Sequence, residues 1–252
     1  MLRRALLAVL ALALAVVGAG CATADGRRAG ELLQQAHAAQ AELESMTFRM
    51  RMSGDVAGQA FTMTMDGGGY LKGDQAGDMV MQGVVEGAGV PATSFSAVIR
   101  DGRAYAGFGG IWTEMPVPAG ADATAQLESQ LAAFDFTQYV KDVSIDDTTV
   151  FLGEPVTKIV GVIDTADMLG ALSGQLGDLS QLGGAGLPAD FIDGLGDTRI
   201  VVYVSDETHH VRAAHMSFNL EQQGQKMTMD IDYSLQGVNE PIEIPEPDLT
   251  IA

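Results

Sequence analysis

Hydrophobic and polar positions follow two periods along this chain. From Glu31 to Met46, the run ELLQQAHAAQAELESM sets Leu32, Leu33, Ala36, Ala39, Ala41 and Leu43 among Ala, Gln and Glu. Propensity and the apolar stripe together predict a helix there. Beyond Thr47 the period drops to two. Phe48, Met50 and Met52 alternate with Arg49, Arg51 and Ser53, and Phe61, Met63 and Met65 with Thr62, Thr64 and Asp66. Met79 and Met81, then Phe95, Ala97 and Ile99, continue the alternation. Gly67-Gly68-Gly69, Gly73-Asp74 and Asp101-Gly102 read as turns, so Phe48–Pro116 is predicted to be an antiparallel meander of six strands.

A second helix is expected over Ala123–Phe134, followed by strands at Thr148–Leu152 and Thr157–Ile163. Met168, Leu169, Leu172, Leu176, Leu179 and Leu182 then recur at three and four, giving an amphipathic helix over Asp164–Gly183 with Asp164 or Thr165 as N-cap. A loop over 183–196 leads to strands at Arg199–Val204, Val211–Leu220 and Met227–Leu235. The tail Asn239–Pro247 alternates Ile242 and Ile244 between prolines and reads as a last edge strand.

Methionine is the informative residue. Met50/Met52, Met63/Met65, Met79/Met81 and Met227/Met229 each sit two apart, so each pair lies on one face of its strand. The opposite faces carry Arg49/Arg51, Thr62/Thr64, Ser217/Asn219 and Asp230/Asp232. A sheet with one apolar face must cover it with helices, another sheet or a ligand. Two readings fit: a dry core, or a cavity wall made compliant by an unbranched, polarizable side chain. The 13 Met against one Trp favour the compliant wall.

The N-terminus changes the setting. Arg3-Arg4, an apolar run from Ala5 to Val17 and Gly18-Ala19-Gly20 read as a secretory signal over residues 1–20, too short to span a bilayer. The only cysteine, Cys21, follows directly. This resembles a bacterial lipobox, in which the new N-terminal cysteine is acylated, with Gly18 where the pattern usually carries Leu, Val or Ile. An ordinary signal peptide with a stray thiol is the other reading. Residues 21–30 would be the lipidated cysteine and a spacer, and 31–252 a single domain. The expected address is extracytoplasmic, anchored to the membrane.

Composition narrows the function. With 33 Asp+Glu against 14 Lys+Arg, the net charge is −19, which argues against nucleic acid as a partner. One cysteine excludes an intrachain disulfide framework. Gly87–Ala92 matches GxGxxA formally, but it carries Pro91 and leads into Thr-Ser-Phe-Ser rather than a helix. There is no GxSxG, P-loop or HExxH. A His209/Glu207/His215 metal site is conceivable, although adjacent His209 and His210 point to opposite faces. No catalytic residue, metal or cofactor is expected, and the chain does not read as an enzyme.

The order of elements is similar to that of the LppX/LprAFG-type bacterial lipoproteins and the wider LolA-like carriers. The likeness rests on the lipobox, the helix, the meander, Pro155-Val-Thr-Lys-Ile-Val-Gly-Val-Ile-Asp164 before a helix, and closing strands ending Asp232-Tyr-Ser-Leu-Gln-Gly-Val-Asn-Glu-Pro-Ile-Glu-Ile-Pro-Glu-Pro247. The resemblance implies an α+β fold, a half-open antiparallel β-barrel with helices on its concave face. It also implies a lipid or lipidated ligand, with the methionine pairs lining the cavity and Leu169, Leu172 and Leu176 covering it. The alternatives are an envelope sensor whose protein partner would be basic, given the acidic exterior, and a dry-cored structural lipoprotein.

Overall fold

A computed structural model describes residues 23–56, 58–87, 90–115, 136–165, 167, 196–222 and 225–247. Cys21, Leu169, Leu172, Leu176 and the helix expected at 123–134 lie outside them, as does all but the start of the one at 164–183. Helix α1 (Ala24–Gln40) comes first. The meander follows as β1 (Ser45–Val56), β2 (Gln59–Tyr70), β3 (Met79–Gly87), β4 (Val90–Arg100), β5 (Arg103–Phe108) and β6 (Ile111–Met115). A 3-10 turn, Phe136–Tyr139, leads into β7 (Val140–Phe151) and β8 (Glu154–Asp164). The chain closes with β9 (Asp197–Ser205), β10 (Val211–Gln222) and β11 (Gln225–Val238).

All eleven strands form one antiparallel sheet, in the order β6-β5-β4-β3-β2-β1-β11-β10-β9-β8-β7. The sheet is curved and does not close: β6 and β7 are its edges. This is the expected half-open barrel, and the six-strand meander is present. GxGxxA falls on the β3–β4 hairpin, where Gly87 (φ 108°) pairs with Val90.

Helix α1 begins earlier and ends earlier than the apolar stripe suggested. Thr23 caps it, its hydroxyl accepting the Gly26 N–H at 3.1 Å, so part of the expected spacer is helical. The buried residues Gly26, Ala29, Leu33 and Ala36 form a stripe at helical spacing. It packs on Ile159, Ile163, Ile200, Val202, Val204 and Val211 of β8, β9 and β10. Burying Leu33, 2% exposed, contributes about 1.5–3 kcal/mol. The face α1 covers is termed the inner face below.

Two other expectations are corrected. Gly67-Gly68-Gly69 is no turn but lies inside β2. Gly67 pairs with Phe48 across β1–β2, Gly54 with Phe61, and Gly83 with Phe95 across β3–β4. A Cβ at Gly67 would stand 2.7 Å from Phe48 Cζ, and one at Gly83 2.6 Å from Phe95 Cζ. Each ring therefore lies over the glycine opposite it, an aromatic cover for a residue with no side chain to pack. The tail 239–247, second, is no edge strand. Pro241, Pro245 and Pro247 have no N–H to give a ladder. Isolated bonds hold it instead: Tyr70 Oη accepts the Ile242 N–H at 2.8 Å and donates to the Ile242 carbonyl at 3.0 Å, and Ser45 Oγ donates to the Glu240 carbonyl at 2.7 Å.

Two glycines test this account in opposite directions. Gly83→Val puts a side chain against Phe95 and 2.6 Å from the Thr64 carbonyl oxygen, and should cost about 1–3 kcal/mol. Gly30, in α1 with no atom within 4 Å of a built Cβ, should gain about 0.5–1 kcal/mol as Gly30→Ala. Thermal unfolding followed by circular dichroism reads both. Equal midpoints for Gly83→Val and wild type would remove the aromatic-cover explanation.

Candidate functional site

Register partners in an antiparallel sheet point to the same side, so the inner face can be followed strand by strand. Ile159 stands beside Val202, Val202 beside Ala214, and Ala214 beside Tyr233. Tyr233 stands beside Met50, Met50 beside Met65, and the row continues through Gly83, Phe95 and Phe108 to Ile111. A second row runs from Ile200 through Met216, Ile231, Met52 and Met63 to Val85. The methionines that the sequence singled out thus share one surface with the residues beneath α1. Met79 and Met81 join it opposite Gly69 and Gly67, Met229 opposite Gly54, and Met227 holds the register position opposite Val56.

This surface has two parts of different composition. Beneath α1 it is β-branched and dry, with Ile159 at 1% and Val202 at 2% exposure. Across β1, β2, β3 and β11 methionine, phenylalanine and glycine predominate, with Ile231, Tyr233, Leu235 and Val85 among them, and Met50, Met52, Met63, Met65, Met79, Met81 and Met229 are all half-buried. Among the described residues α1 is the only long helix, and it lies against β7 and β9. At the far edge Phe108 and Ile111, which sequence reasoning left out of the wall, are 62% and 57% exposed. Their signal was present as alternation around Gly109-Gly110, but only the register shows that they prolong the Met50–Met65 row.

Tyr233 brings a polar tip into the wall. Tyr233 stacks near Phe48 with ring centroids 6.2 Å apart, and its hydroxyl reaches Met46 Sδ at 4.0 Å, a weak acceptor. Burial pushes its phenol up to about 12. At the start of the helix expected after β8, Asp164 Oδ1 accepts the Asp167 N–H at 3.2 Å, as an N-cap would. Asp164 also bonds Lys141 Nζ at 2.6 Å, which holds its carboxyl below the usual range.

The outer face carries the polar residues in the expected alternation. His215 Nδ1 meets Asp232 Oδ1 at 2.8 Å, and its Nε2 meets Ser217 Oγ at 3.1 Å. This has the connectivity of an acid–histidine–hydroxyl relay, yet Ser217 also donates to Asp230 at 2.5 Å. The neighbouring backbone groups are committed to ladders on both sides of β10, leaving no free N–H pair to stabilise an oxyanion. His209 sits in the β9–β10 turn at φ 58°, and among the described residues no three His, Cys, Asp or Glu side chains are placed to hold a metal ion.

No family model matches the sequence, and no characterised protein matches it either. Solved structures do match in fold. LprF from Mycobacterium bovis superposes with a TM-score of 0.57 at 16% identity, over 88% of this chain and 97% of that one. The Mycobacterium tuberculosis lipoprotein LppX gives 0.53 at 16%, over 87% and 99%. The chain therefore has the fold of LprF and LppX, as its layout suggested.

Tyr233 offers a direct probe of the wall. The folded protein favours the protonated phenol, so its contribution to stability is fully present below the unfolded value near pH 10 and is lost as the pH rises through about 12. Absorbance titration at 295 nm should show a late component near pH 12 that Tyr233→Phe removes. A titration with no late component would mean that water reaches the ring.

Proposed function

We propose that this chain is a membrane-anchored lipoprotein that binds the acyl chains of a lipid or lipidated molecule on its inner face. The observation that carries the reading is the split in that face: Ile and Val predominate where α1 packs, and half-buried Met and Phe predominate over the rest, with Ile231 and Val85 among them. A surface packed permanently by its own chain is best served by residues that fix one arrangement. One that accepts different shapes is best served by methionine. Met50, Met52, Met63, Met65, Met79, Met81, Met227 and Met229 would form the wall, with Leu169, Leu172 and Leu176 over it. Each methylene buried contributes about 0.8 kcal/mol, and the binding needs no cofactor.

The anchor fits this use. Cys21 precedes the capping Thr23 by two residues. Helix α1 ends shortly before β1 begins and touches the 3-10 turn ahead of β7, so its N-terminus points toward the end of the sheet where β7 starts and β8 finishes. The β5–β6 hairpin turns at that same end, with Phe108 and Ile111 exposed. An acylated Cys21 would hold the wall's open end near the bilayer. With an excess of 19 acids, attachment must come from the acyl chains rather than from charge.

Three measurements test the proposal. The Cys21→Ser chain should leave the membrane fraction and become soluble; unchanged partitioning removes the anchor. Native mass spectrometry of that soluble chain, purified without detergent, should find lipid at near one per molecule. A lipid-free mass that also rejects added phospholipid would eliminate the cavity in favour of a dry core or a protein partner. Met63→Asp should abolish uptake with modest loss of stability, whereas in a dry core the unpaired carboxylate would unfold the domain.

A further inference from the structure

The outer face holds a groove of about 650 Å³ that the acyl-binding reading does not use. Its floor is apolar: Val201, Tyr203 and Ala213 lie side by side on β9 and β10. The β7–β8 hairpin forms a wall, with Phe151 stacked on Tyr203 at 6.4 Å and 23° and Val150 standing 67% exposed. Lys158, Arg49 and Arg51 line it as cations, with Asp232 as the lining carboxylate. In a chain with 33 acids and 14 basic residues, that local balance is inverted.

Two of the cations are already matched. Arg49 pairs with Asp66 at 2.6 Å and Lys158 with Asp146 at 2.6 Å, while Asp232 is hydrogen-bonded with His215 Nδ1 at 2.8 Å. Arg51 is the exception: it stands across from Asp232 and Thr64 in the register and makes no side-chain ion pair or hydrogen bond among the described residues. The groove thus offers a flat aromatic and aliphatic bed with one uncommitted guanidinium at its side. A few hundred cubic ångströms with an apolar bed and charged groups at its side can hold a small molecule and fix its orientation.

We propose that this groove binds a small amphipathic monoanion, a flat apolar body laid on Tyr203 and Phe151 with its single acid group meeting Arg51. A guanidinium suits such a group because its fork accepts both oxygens of a carboxylate or sulfonate. The site faces away from the methionine wall, so it does not depend on whether that wall takes acyl chains.

Methyl NMR on the full chain, labelled at Ala, Val and Met, tests the assignment with 2-naphthoate and its neutral counterpart 2-naphthylmethanol as probes. Naphthoate should move the methyl signals of Val150, Val201 and Ala213 and half-saturate at about fivefold lower concentration than the alcohol. Arg51→Gln, a substitution at an exposed side chain without contacts, should abolish that preference, and Arg51→Lys should keep part of it. Shifts confined to Met50, Met52, Met63 and Met65, no shifts at all, or a preference that survives Arg51→Gln would each overturn the proposal.

Discussion

An open sheet of eleven strands with apolar side chains at every second position has to keep one whole face from water. At about 4.8 Å per strand the face is about 50 Å wide before it curls. A 17-residue helix is about 25 Å long and 10 Å across, enough to cover a few strands and no more. Helix α1 covers the β7 end, and the residues beneath it, Ile159, Ile163, Ile200 and Val202, are buried. Past Met216 the face turns toward methionine at Met52 and Met63, with Ile231 still β-branched between, and none of the three belongs to the cluster beneath α1. The residue types follow the cover. Among the described residues, stiff side chains predominate beneath α1 and flexible ones away from it.

Curvature comes from the same face. Gly54, Gly67 and Gly83 interrupt the apolar alternation of β1, β2 and β3, each opposite a phenylalanine on a neighbouring strand. A glycine lets the strand bend and leaves a gap above it, and the ring from next door fills that gap. On the outer face Gly107 and Trp112 repeat the device across β5–β6, where a built Cβ would meet the indole at 3.1 Å. The chain's 31 glycines are thus partly explained as a means of curling a wide sheet while keeping its inner surface smooth.

Much of this was legible beforehand because alternation at period two is a local signal. Met50/Met52 and Met63/Met65 reveal their shared face without any knowledge of pairing. The neighbours across strands are not local, and there the reading failed in instructive ways. Three consecutive glycines look like a turn until register sets Gly67 against Phe48. Ile242 and Ile244 alternate like a strand, but prolines on either side deny the ladder its donors. The helix boundary moved because Thr23, a capping residue, lies outside the apolar stripe that drew attention to Glu31–Met46. The outer groove was invisible for a stronger reason. Phe151 and Tyr203 are 52 residues apart in sequence, and their stacking depends on how the β7–β8 hairpin twists against β9.

On the proposed reading the two faces would divide recognition between them. Among the described residues the methionine half of the inner face carries few hydroxyls: that of Tyr233, which meets a thioether, and toward the β6 edge those of Thr93 and Thr113. Such a surface can distinguish bulk and length, through area removed from water, but it offers little to tell one head group from another. Selectivity for a charged or hydroxylated group has to arise where polar side chains are both present and uncommitted. On the outer face Arg49 and Lys158 are already paired, with Asp66 and Asp146, and paired groups discriminate weakly because a ligand must first displace a partner. On the proposed reading the inner wall would be tolerant by construction, and Arg51, the uncommitted cation beside an aromatic bed, would be the place on the outer face where a single charge on a ligand changes its affinity.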